Sequence, residues 1–235
     1  MLGFVNPTCY PFNMDLYHAL NRRVEGGLLF LDSSDYVRFV HNMYEFNDSA
    51  PAIQSDRRTQ NVGFRKPNIK KKLVDIHGWC LMRNHYHLLL SEKVDGGLTL
   101  FLRKLNVGYA NYFNERYERS GTLFQGRTKK ILIENDAHYN YILHYIHLNP
   151  LDYLKGSEKW RVRSKNEITS AKKAESYLKD YRWSSYLDYT GTPNFPSILS
   201  TTLFSNTSEQ YTKEIGRYLR SAETNELETT KFTLE

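Results

Sequence analysis

Two apolar, strand-like segments, "LVDIHGWCLM" and "HYHLLLSE", are separated only by the polar pair Arg83-Asn84. A link of two residues between two extended segments predicts a tight antiparallel hairpin. Side chains alternate faces along a strand, so His85 and His87 project to one side and Tyr86 to the other. Two imidazoles so placed are close enough to share one ion, which makes them half of a metal site. The pair alone is equally compatible with histidines hydrogen-bonded at a strand edge.

The segments around the hairpin restrict the fold further. "DLYHALNRR" (15–23) reads as a first strand, and "DSSDYVRFVHNMYEF" opens with helix-capping residues before placing Tyr36, Phe39, Val40 and Met43 at i, i+3, i+4, i+7. "GLTLFLRKLNVGYANYFNERYER" carries the clearest helical stripe, formed by Leu98, Phe101, Leu102, Leu105, Tyr109, Tyr112 and Phe113. Gly121 breaks that pattern, and "TLFQGRTKKILIE" reads as a strand with a bulge at Gly126. Asn135-Asp136 then opens a helix that ends near Asn149, because Pro150 disfavours helical geometry in the residue before it. Strand, helix, strand, strand, helix, strand, helix is the order of a ferredoxin-like split βαβ plan. This is an α+β fold, an antiparallel sheet packed with helices, with one extra helix after the last strand.

The remainder is less patterned. Residues 47–72 are polar and basic and read as a loop or insertion, and beyond Pro150 a polar stretch leads to the aromatic "YRWSSYLDY". From Gly191 a tail follows, in which "SEQYTKEIGRYLRSAETNE" has the pattern of an amphipathic helix. At 235 residues the chain suits one domain, over 1–190, with the 191–235 tail as an appendage. A composition of 40% hydrophobic and 25% charged residues excludes a disordered chain. Lys+Arg 32 against Asp+Glu 26 suits a polyanionic partner without demanding one. Cys9 and Cys80 make neither a disulfide framework nor a four-cysteine zinc site, so a reducing compartment is expected. No window approaches 18 uninterrupted apolar residues and the start is not a signal peptide, so the expectation is a cytoplasmic chain with no membrane partner.

The last helix offers a partner for the histidine pair. Tyr141, Tyr145 and Asn149 fall at i, i+4, i+8 and share a face, which puts the Tyr145 phenol one turn from the Asn149 amide oxygen. One amide oxygen with two imidazoles is a mixed donor set suited to Mg²⁺ or Mn²⁺ and poorly matched to structural zinc. With 18 tyrosines in the chain most must be packing residues, and Tyr139, Tyr141 and Tyr153 are read that way. His144 and His147 flank Tyr145 on other helix faces, and His18 and His77 read as structural.

"WCLMRNHYHLLL", "GYANYFNERYERSGTLFQGRTKKILIE", "HYIHLNP" and "YRWSSY" together resemble the REP-associated tyrosine transposases and the related single-strand insertion-sequence transposases of the HUH endonuclease superfamily. The resemblance runs from about Tyr17 to Tyr189. It implies that 1–190 is an HUH single-tyrosine transposase domain whose last helix is catalytic. Carried over residue by residue, His85 and His87 are metal ligands, Asn149 is a third ligand where relatives often have glutamine, and Tyr145 is the nucleophile. The implied activity is metal-dependent nicking and rejoining of single-stranded or hairpin DNA through a 5′-phosphotyrosine. A domesticated, non-cutting hairpin-DNA-binding protein of the same fold is the alternative, and a water-using metal phosphodiesterase is a third reading. The resemblance leaves monomer and homodimer open. Candidate DNA contacts are Arg83, Arg127, Lys129 and Lys130, with Arg127 and Lys129 on one strand face able to track a phosphate backbone or simply be solvated.

Overall fold

The computed structural model describes residues 14–50, 70–157, 159–161, 168–204 and 207–224. Most of the basic insertion expected over 47–72, and the leader with Cys9, lie outside the described residues. Strands β1 (Leu16–Arg22), β2 (Val74–Met82), β3 (His85–Glu92) and β4 (Lys129–Leu132) form one sheet in the order β2-β3-β1-β4. Every neighbouring pair is antiparallel. The helices α1 (Ser33–Glu45) and α2 (Gly97–Arg116) make the two crossovers, which is the split βαβ plan the sequence predicts. The hairpin turn falls on Arg83 and Asn84.

Alternation sorts the sheet's side chains into two apolar clusters. Ala19, Trp79, Leu81, Leu88 and Leu90 meet Phe39, Met43, Phe101 and Tyr109 of α1 and α2. Leu16, Cys80, Met82 and Leu89 meet the opposite layer, built on α3 (Asp136–Leu148) with Ile142 and Ile146. The α1 and α2 layer is keyed by the buried Asp35 carboxylate. It accepts from the Leu31 amide, the Tyr112 and Tyr117 hydroxyls and the Arg116 guanidinium. Tyr112 is consequently only partly buried, unlike the rest of the predicted α2 stripe.

Two expectations change. The fourth strand is short, because Gly126 takes a left-handed φ of 70° and only the isolated Arg23–Phe124 bridge precedes it. Arg127 therefore lies before the strand rather than in a row on it. The described residues after Pro150 also carry more regular structure than their composition suggests. A 3-10 turn (Asn149–Tyr153) is followed by α4 (Ala171–Asp180), the single turn α5 (Tyr186–Tyr189) and α6 (Ser208–Thr224). Tyr211, Ile215 and Leu219 of α6 are buried in the same cluster as α3 and α4. Among the described residues no helix is long and apolar enough to cross a membrane.

Candidate active site

Strand register brings together residues far apart in sequence. Leu20 pairs with His87 and His18 with Leu89, so His18, His85 and His87 all face the α3 layer. His18 Nε2 lies 2.9 Å from His87 Nδ1 with the two rings within 14° of coplanar, and the His85 ring sits 4.8 Å from that of His87. Tyr145 comes down from α3 edge-on to both buried imidazoles, its ring 5.9 Å from His18 and 5.9 Å from His87. The phenol and the histidine pair expected from sequence thus converge, and His18 joins them.

The position of α3 has local causes. Asn135 caps it by accepting from the His138 amide. At Gly78 of β2 the helix comes so close that a Cβ would lie 2.6 Å from a Leu143 methyl. His147, one of the histidines flanking Tyr145, is fully buried and bonds the Tyr211 hydroxyl at 2.5 Å and Ser185 Oγ at 2.6 Å. Ser185 also accepts from the Trp79 amide and donates its own amide to the Trp79 carbonyl. The "RWSSY" motif therefore works as a clamp: Trp183 to Ser185 add backbone bonds to the free edge of β2 and tie that strand to α3. His144 stacks on Tyr211 and borders a cavity of about 560 Å³ between α3 and α6, on the side of the helix away from the imidazoles. His77 bonds the Ser200 carbonyl and Ser91 Oγ and is structural, as expected.

The tautomers of the pair follow from their partners. His85 Nδ1 donates to the Asn84 amide oxygen at 2.6 Å, which leaves the lone pair on Nε2. If His87 Nδ1 donates to His18 Nε2, the His87 lone pair is likewise on Nε2, an atom buried without a hydrogen-bond partner among the described residues. Burial, then the neighbouring imidazoles His85 and His18, hold His87 well below the usual histidine range, and burial pushes His18 down to about 3. Both are neutral, as metal ligands and their supports must be. The Nε2 lone pairs of His85 and His87 make the donor pair that would hold a divalent ion.

Asn149 is arranged otherwise. Its amide nitrogen donates to the Tyr145 carbonyl at 2.8 Å, and its oxygen accepts from the Arg161 guanidinium rather than turning to the imidazoles. Among the described residues no group of three His, Cys, Asp or Glu side chains is arranged to hold a metal. Arg161 also binds the Asp152 carboxylate and the Tyr145 hydroxyl, and Trp160 packs 5.6 Å from the Tyr145 ring. Tyr145 is left only 4% exposed. Of the candidate DNA contacts, Arg83 stacks on Tyr153 at the hairpin turn and Lys130 bonds Thr99 on the α2 side. Lys129, paired with Leu20, faces the same side as the histidines.

No match is found among curated proteins. Among solved structures the chain is similar to one described as "Structure of the REP associates tyrosine transposase bound to a REP hairpin". That similarity covers 88% of this chain and 96% of that one at 13% identity, with a TM-score of 0.48. Residues 40–149 match the sequence model of the family described as "Transposase IS200 like", a span that holds His85, His87, Tyr145 and Asn149 and stops short of His18 and Arg161. Over residues 40–149 the chain is thus similar to the IS200-like transposase family.

Proposed function

We propose that this domain nicks and rejoins single-stranded or hairpin DNA, with Tyr145 as nucleophile and His85 and His87 as ligands of Mg²⁺ or Mn²⁺. The observation that carries the reading is the meeting of the Tyr145 phenol with the buried His18–His87 pair from two neighbouring strands. In the step proposed, the phenol oxygen loses its proton and bonds to phosphorus, and the bond from phosphorus to the 3′ oxygen breaks. That oxygen leaves as a free 3′-OH, and a 5′-phosphotyrosine remains on the protein. Attack by a second 3′-OH reverses the step and joins new ends with no external energy source. A phenol has an ordinary pKa near 10, and the divalent ion would supply polarisation of a non-bridging oxygen and neutralise developing charge. His18 keeps His87 in the ligand tautomer, and Trp160 excludes water from the ring.

Incubation of the full chain with Mn²⁺ and labelled hairpin oligonucleotides is expected to give a covalent protein–DNA adduct that Tyr145→Phe abolishes. An adduct undiminished in that variant removes Tyr145 from the chemistry. The capture of the Asn149 oxygen by Arg161 favours a second reading, a protein of the same fold that binds hairpin DNA without cutting. Hairpin binding that persists in chelator, with no adduct on any hairpin, would select it.

A further inference from the structure

Arg161 lies outside the span matched by the family model, in the segment that returns over α3 after the 3-10 turn. Its guanidinium meets the Tyr145 hydroxyl, the Asn149 amide oxygen and the Asp152 carboxylate, and it stacks 4.5 Å from the Trp160 ring centre. Trp160 Nε1 donates to the same Asp152 carboxylate at 2.7 Å, so the cation is held on its far side as well. Burial works against its charge, yet the Asp152 and Tyr145 contacts outweigh that and raise its pKa. Tyr145 on α3 and Asn149 just past its end stand one turn apart, and a planar fork of five N–H donors satisfies two acceptors at that spacing where an ammonium, a point charge, does not.

We propose that Arg161 is the positioning residue of Tyr145, fixing the phenol oxygen beside the histidine pair so that it meets the phosphorus of a DNA phosphodiester in line. The physical reason lies in the tyrosine itself. Packing against His18, His87 and Trp160 fixes the ring plane, but the oxygen at its tip needs a donor to hold it. A displacement of about 1 Å at a reacting atom costs about 100-fold in rate. This proposal rests on Tyr145 being the nucleophile, and the test separates the two.

Adduct formation by the full chain is measured against hairpin concentration for wild type, Arg161→Lys and Arg161→Gln. The glutamine variant is expected to lose about 100-fold in the rate at saturating DNA with half-saturation unchanged, and the lysine variant to recover part of the loss. A saturating rate in Arg161→Gln equal to wild type, or a loss confined to half-saturation, overturns the proposal. A second readout needs neither DNA nor metal. With ¹³Cζ-labelled tyrosine, the resonance that Tyr145→Phe removes is expected to shift in Arg161→Gln more than the other tyrosine signals, and an unmoved resonance overturns the proposal. Should wild type form no adduct, the nicking reading falls, and the tyrosine spectrum alone decides the role of Arg161.

Discussion

At the scale of single residues, the two ring nitrogens of His87 have different tasks. Nδ1 is engaged by His18 and Nε2 faces the site, so the proton shared by the pair decides whether His87 presents a donor or a lone pair. Replacing His18 by Ala removes the acceptor that selects the ligand form. It is expected to weaken Mn²⁺ binding by about 10- to 100-fold, the usual cost of losing a support behind a metal-bound histidine. Calorimetric titration of the DNA-free protein measures this, and undiminished Mn²⁺ affinity would strip His18 of the role. The histidine pair and Tyr145 were legible in the sequence because strand alternation and helical spacing are local rules. In the sequence His18 reads as structural, since its face is defined only once β1 pairs with β3 in a particular register. Arg161 had no sequence signal at all, because its partners are reached by a chain reversal rather than a periodicity.

At the scale of elements, the meeting of Tyr145 with the histidines depends on how tightly α3 lies on the sheet. Gly78 permits the contact, and the His147–Ser185 bond fastens the helix to the strand that carries it. Gly78→Val would drive added carbon atoms into Leu143. The expected loss is about 1–3 kcal/mol of stability, the typical cost of overpacking a filled core. Urea unfolding measures it, and a midpoint equal to wild type would show that α3 yields without penalty. The "RWSSY" residues, recognised in sequence only through a resemblance, have a structural account here: their backbone extends the edge of β2 and their serine holds His147. The shortness of β4 follows from a glycine in a left-handed conformation, which strand-like composition does not reveal.

At the scale of the whole molecule, the layer opposite α1 and α2 holds several neutral imidazoles in an apolar setting. Burial pushes His144 down to about 4, and burial followed by the proximity of His144 holds His147 well below the ordinary range. Above the ordinary histidine pKa of 6.5 both folded and unfolded chains are neutral at these positions. As the pH falls, the unfolded chain takes up protons first and the native state lags, so stability present above 6.5 is lost on the way down toward 4. For His144 alone the loss by about pH 5 is about 2 kcal/mol, and His147 acts in the same direction. Urea midpoints at about pH 7.5 and about pH 5 are expected to differ accordingly, with the difference reduced in His144→Phe; a midpoint independent of pH would sink the prediction.

The sequence by itself determined the hairpin, the order of strands and helices and the two-faced sheet. All of these follow from periods of two and 3.6 residues and from turn and cap residues that act over a few positions. Tertiary structure alone decided that His18 stands behind His87, that Asn149 turns its oxygen to Arg161, and that Trp160 and Arg161 pack on Tyr145. Those outcomes rest on register between distant strands and on the partners a buried polar atom must find, and neither is encoded in any short stretch of the chain.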